Sequence, residues 1–71
     1  MRVKKYYGSF GSDHMNTGCI QPIWAKDSVQ AKKLMDMYHG KEWCWIYNES
    51  EGLERIDAVG YEVLPEIGIP E

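Results

Sequence analysis

The densest set of side chains able to do chemistry lies between Gly8 and Gly18, in the run GSFGSDHMNTG. Glycines let backbone amides approach an anionic group closely, and Ser9, Ser12 and Thr17 add hydroxyl donors beside the Gly11 amide. His14 and Asn16 can read base or ribose groups. Phe10, with Tyr7 just ahead of it, can stack on a base. The candidate ligand-binding residues are therefore Tyr7, Ser9, Phe10, Gly11, Ser12, His14, Asn16 and Thr17. No Gly-Lys-Ser/Thr follows, so this is not a Walker loop, and it is not a dinucleotide fingerprint opening a helix. A hairpin loop without a ligand has the same composition.

Other constellations carry less. Trp43, Trp45 and Tyr47 occupy alternating positions, which on a strand puts them on one face. Such a row can stack bases, pack against a helix or form a subunit interface, and aromatic burial favours the last two. His14, Cys19, His39 and Cys44 match no standard metal-ligand spacing, so no metal is expected. Cys44, between two tryptophans, is expected to be buried and inert. Glu49, Glu51, Glu54 and Asp57 form an acidic, solvated stretch rather than an acid/base pair. The expectation is a protein that is not an enzyme and uses no cofactor. Arg2, Lys4, Lys5, Lys32 and Lys33 are solvated by default, yet one or two cations with backbone amides suffice to hold a small anion.

These residues need elements to position them. The first ten residues read as a strand, with Val3, Tyr6, Tyr7 and Phe10 as β-formers. Residues 11–18 read as the loop of a wide hairpin, and a second strand follows over about 18–25. Pro22, lacking an amide hydrogen, points to an edge strand or a bulge. Asp27 and Gln30 make a capping-box variant ahead of a helix over 28–39. Its apolar stripe is Ala31, Leu34, Met35 and Tyr38, and Gly40 stops it. Residues 43–47 are apolar on both faces and read as a central strand. Residues 48–52 read as an acidic turn, residues 53–59 as a short helical turn ended by Gly60, and residues 61–64 as a last strand. Pro65 and Pro70 discourage further pairing in residues 65–71. The expected fold is α+β, order β-β-α-β-α-β: an antiparallel sheet with one main helix packed on one face.

Length and composition bound the rest. Seventy-one residues make a single domain, 1–71, with residues 1–64 as folded core and 65–71 as a tail. A net charge of −3 argues against a duplex nucleic-acid binder held by phosphate neutralisation. No apolar run reaches membrane-spanning length and no signal-peptide pattern appears, so no membrane partner and a cytoplasmic setting with reduced cysteines are expected. One Phe, three Trp and five Tyr are many for so small a core, which gives weight to self-association.

Four stretches in order, YGSFGS at 7–12, IQPI at 20–23, AKKLM at 31–35 ahead of Gly40, and WCWIY at 43–47, resemble small phage proteins. The group is the phage-encoded anti-CBASS sponges, immune-evasion proteins that sequester cyclic nucleotide signals; the resemblance covers residues 5–62. It implies a non-enzymatic homo-oligomer, a tetramer, in the host bacterial cytoplasm. That assembly would bind a cyclic dinucleotide such as cyclic GMP–AMP in pockets built by more than one subunit. The ligand-facing loop would be residues 7–17, and Asp13 there would repel phosphate unless it reads a guanine edge. The other function in view is a phage inhibitor that binds a host defence protein directly, through the 43–47 row or the acidic stretch.

Overall fold

The computed structural model describes residues 3–11, 18–40 and 43–68. Strand β1 (Lys4–Phe10) pairs antiparallel with β2 (Cys19–Ala25) on one side and with β3 (Trp43–Asn48) on the other. Helix α1 (Ser28–His39) joins β2 to β3, and α2 (Glu49–Val59) joins β3 to the two-residue β4 (Glu62–Val63). A further short strand, β5 (Ile67–Gly68), follows. The sheet order is β3-β1-β2-β4, with β5 also on β2. The α+β class is as expected.

The sheet is mixed rather than antiparallel throughout, because β4 and β5 both run parallel to β2. Parallel neighbours need a crossover, which the helices supply between β2 and β4, and β5 continues from β4 in the same direction along β2. Residues 65–68 are likewise not a tail. Gln21 Nε2 donates to the Pro65 carbonyl at 2.5 Å, and Ile67 and Gly68 pair with Ile23 and Trp24. Pro22 does not mark an edge strand either, since β2 is paired on both sides. Its missing amide falls between the segment matched by β4 and the segment matched by β5, where no ladder bond is required.

Helix α1 follows its local signals. Asp27 Oδ1 accepts from the Gln30 amide at 2.8 Å, while Gln30 Oε1 reaches back to the Lys26 amide at 2.7 Å. Gly40, at φ +70°, closes the other end with its N–H on the Asp36 carbonyl. Ala31 and Met35 are buried, but Tyr38 is exposed and the half-buried His39 faces the sheet instead. Helix α2 is longer than expected. Asn48 caps it by accepting from the Glu51 amide at 2.8 Å, and Gly60 ends it in the left-handed conformation. Residues 48–52 are thus its first turn, not a separate loop.

The helices cover opposite faces. Met35 of α1 lies where a Cβ on Gly8 would be, and Tyr7 lies where a Cβ on Gly52 of α2 would be. Adjacent strand residues point to opposite faces, so α1 sits over Tyr6, Gly8 and Ile23, and α2 over Tyr7. Beneath α1 the core is Ile23, Ala25, Ala31 and Met35, ringed by Tyr6, Phe10, Leu34, Trp43, Ile46 and Ile67. Each fully buried Ile or Met there contributes about 1.5–3 kcal/mol.

Strand β3 is an edge, not a central strand, and Cys44 is exposed rather than buried. The expected aromatic row is also split. The register against β1 shifts between Ser9 and Phe10, where Trp45 matches Ser9 and Trp43 matches Phe10. One extra residue at such a bulge moves Trp43 to the α1 face, while Trp45 and Tyr47 stay on the α2 face. Trp43 packs on the α1 core and donates its Nε1 to Asp36 Oδ1 at 2.7 Å.

Candidate functional site

Four of the eight sequence-derived binding residues, Ser12, His14, Asn16 and Thr17, lie outside the described residues. The other four are the end of β1 and the residue after it. Tyr7 is 3% exposed beneath Gly52, so its ring is a core element with no face for a base. Ser9 is 4% exposed and its hydroxyl donates to the Trp45 carbonyl at 3.4 Å, which occupies it within the sheet. Phe10 is half-buried at the end of β1, and Gly11 follows it. The Phe10 ring meets the His39 imidazole edge-on, centroids 4.9 Å apart at 85°.

A buried amide holds that imidazole. Gln21, 2% exposed, donates through Nε2 to the carbonyls of Pro22 (3.0 Å) and Pro65, and its Oε1 lies 2.9 Å from His39 Nε2. Two carbonyl partners identify the nitrogen of the Gln21 amide, so its oxygen faces His39. An amide oxygen only accepts, hence Nε2 of His39 carries a proton. The pair of His39 and Gln21 was not anticipated from sequence, because the two residues are 18 apart and come from a helix and a strand.

A second place lies at the far end of β1, about 20 Å away along seven strand residues. There a cavity of about 560 Å³ is lined by Lys4, Lys5, Tyr6 and Trp24, with Asn48, Glu49 and Ser50 of the α2 entrance and with Val3. Lys5 is fixed by an ion pair: its Nζ is 3.0 Å from Glu66 Oε2, while Trp24 Nε1 donates to Glu66 Oε1 at 3.1 Å. The Lys5 ammonium also sits 5.5 Å from the ring centres of Tyr7 and of Trp24. The Glu66 carboxylate raises the Lys5 pKa above the lysine value, outweighing partial burial. Hydrogen bonds from Trp24 and then Lys5 hold Glu66 below the ordinary glutamate value.

Lys4 and Lys5 read as solvated cations in sequence, and nothing local announced the cavity. The one available signal was Asn48 with Glu51 three residues on, a helix entry rather than a turn. Chemically the cavity offers ammonium groups and aromatic rings beside a helix N-terminus, a combination suited to an anion that also carries flat rings.

A third, smaller groove of about 410 Å³ runs beside β3, lined by Ser28 and Lys32 of α1 and by residues 43–46. Trp45 is 61% exposed there. Among the described residues no group of three His, Cys, Asp or Glu side chains could hold a metal ion, and no helix is long and apolar enough to cross a membrane. Cys19 and Cys44 are free thiols. No protein-family model, curated protein or solved structure matches the chain.

Proposed function

We propose that this chain is a non-enzymatic binding protein that takes up a cyclic dinucleotide such as cyclic GMP–AMP and withholds it, as a homo-oligomer, from a bacterial antiphage effector. The observation carrying this reading is the cavity formed by Lys4, Lys5, Tyr6 and Trp24 at the entrance of α2. Its volume of about 560 Å³ is in the range of small-molecule sites. Ammonium groups answer phosphate and ring faces answer bases. Glu49, on the same lining, suits the N–H edge of a guanine and opposes a phosphate placed against it. The sequence-derived binding residues of the glycine-punctuated loop, with Phe10 among them, are the alternative position for the same ligand.

Thermal unfolding with a panel of cyclic dinucleotides tests the reading. Ligand at 100 times its Kd stabilises by about 2.7 kcal/mol, which in a domain of this size raises Tm by about 10–20 °C. Lys4→Ala is expected to weaken binding at least about tenfold if the cavity is the site, and Phe10→Ala if the loop is. A folded protein whose Tm moves with no member of the panel rules the nucleotide reading out.

The exposed Trp45 on the edge strand favours a second reading, direct binding of a host defence protein. A stoichiometric host protein retained by the wild type and lost with Trp45→Ala, together with no thermal response to nucleotides, would put that reading first.

A further inference from the structure

We infer that Lys5 Nζ and Trp24 Nε1 form an oxyanion subsite of the cavity at the α2 entrance, filled by the Glu66 carboxylate until a phosphate group displaces it. The inference rests on the ligand reading above and adds to it two donors and an internal competitor. Lys5 and Trp24 both line the cavity. They stand directly opposite each other on β1 and β2, so their side chains leave the same face of the sheet.

The two donors already hold one carboxylate between them. Glu66 Oε2 lies 3.0 Å from Lys5 Nζ, and Glu66 Oε1 accepts from Trp24 Nε1 at 3.1 Å, so each oxygen takes one donor. A phosphate group presents a pair of oxygens to the same kinds of donor. The ammonium has little open side left for a second anion. The ring centres of Tyr7 and Trp24 are each 5.5 Å from it, and the Lys5 side chain is only 21% exposed. A phosphate that reaches Lys5 therefore takes the place of Glu66.

The exchange needs one side chain to move and no more. The main chain is fastened on both sides of Glu66. The Pro65 carbonyl accepts from Gln21, Ile67 packs on the α1 core, and Gly68 lies so close to the Trp24 main chain that a Cβ there would collide with it. The Glu66 side chain is 52% exposed and can turn into water with β5 in place. An ion pair so exposed is a weak one. A free carboxylate gains nothing by replacing another carboxylate. A cyclic dinucleotide adds a second phosphate and two bases, which meet the rest of the cavity and favour the exchange. Glu66 thus sorts for ligands whose anionic group is held by further contacts.

Inorganic pyrophosphate and cyclic GMP–AMP, each titrated into the full chain and followed by NMR at the Trp24 indole N–H, test it. Both probes are expected to move that signal. Glu66→Ala, its fold checked by circular dichroism, should bind pyrophosphate about two- to fivefold more tightly, the range an exposed ion pair is worth. Glu66→Gln, which keeps the size and loses the charge, should shift affinity in the same direction. Lys5→Gln in the Glu66→Ala background should remove the gain. Glu66 variants that bind pyrophosphate as the wild type does, or more weakly, overturn the inference even where cyclic GMP–AMP binds, because the carboxylate then only holds β5. A Trp24 signal that neither probe moves in any variant overturns it too. Tighter pyrophosphate binding by Glu66→Ala, with no response to cyclic GMP–AMP, keeps the subsite and removes the nucleotide reading instead.

Discussion

Gly52→Ala sets two effects of opposite sign against each other. In the interior of a helix, alanine is better than glycine by about 1 kcal/mol. A Cβ at position 52, however, would lie 2.6 Å from Tyr7 Cγ and 2.8 Å from Tyr7 Cβ, and closer still to the ring edge. Carbon atoms in contact settle at about 3.5–4.0 Å, so α2 must retreat by about 1 Å or the ring must move. The ring cannot swing freely, because Tyr7 is 3% exposed and its strand is paired on both sides. Overpacking of this kind costs about 1–3 kcal/mol, and several atoms crowded at once place it at the upper end. The net expectation is a loss of about 2 kcal/mol, or about 8–16 °C in Tm for a domain of this size. Thermal and urea unfolding followed by circular dichroism measure it. In a Tyr7→Val background, where the ring is gone, the same substitution should be neutral or stabilising by up to about 1 kcal/mol. A rise in Tm for Gly52→Ala in the wild-type background would refute the seating of α2 on Tyr7, and with it the placement of Asn48 and Ser50 at the cavity.

Gln21→Ala removes a buried amide together with its hydrogen bonds to the Pro65 carbonyl and to His39 Nε2. A loss of about 2–4 kcal/mol is expected in urea unfolding, with faster hydrogen exchange in β5. The Lys5–Glu66 pair gives a pH signature. Because Glu66 is held below the ordinary glutamate value of 4.5, its contribution is present above that pH and is lost as pH falls through the lower folded value. Because Lys5 is raised above 10.5, its contribution is full below that pH and is lost only as pH rises through the higher folded value. The stability difference between wild type and Glu66→Gln should therefore be flat through neutral pH and shrink in acid. A difference that stays constant from pH 7 down to pH 2 would show that the ion pair carries nothing.

Part of this fold is legible in the chain itself. The 28–39 helix, its Asp27 and Gln30 cap and its Gly40 stop depend on residues within a few positions of one another, and the structure follows them residue by residue. The strand pairing around residues 11–18 was likewise readable from β-formers flanking a glycine-rich run. Asn48 and Glu51 carried an equally local signal for α2, masked by Gly52. Glycine is a poor helix residue, and its presence makes sense only once the Tyr7 ring is seen to need the space.

What the sequence alone determined is thus the order of the first six elements and the α+β class, because capping, periodicity and turn chemistry act over short spans. The tertiary structure decided the rest. Helical crossovers made β4 parallel to β2, β5 continued in the same direction, and the place of β3 at the edge exposed Cys44 and Trp45. A one-residue shift in register sent Trp43 to the opposite face from Trp45. Strand order, face and cavity depend on which distant segments meet, and a period-two pattern carries no record of that.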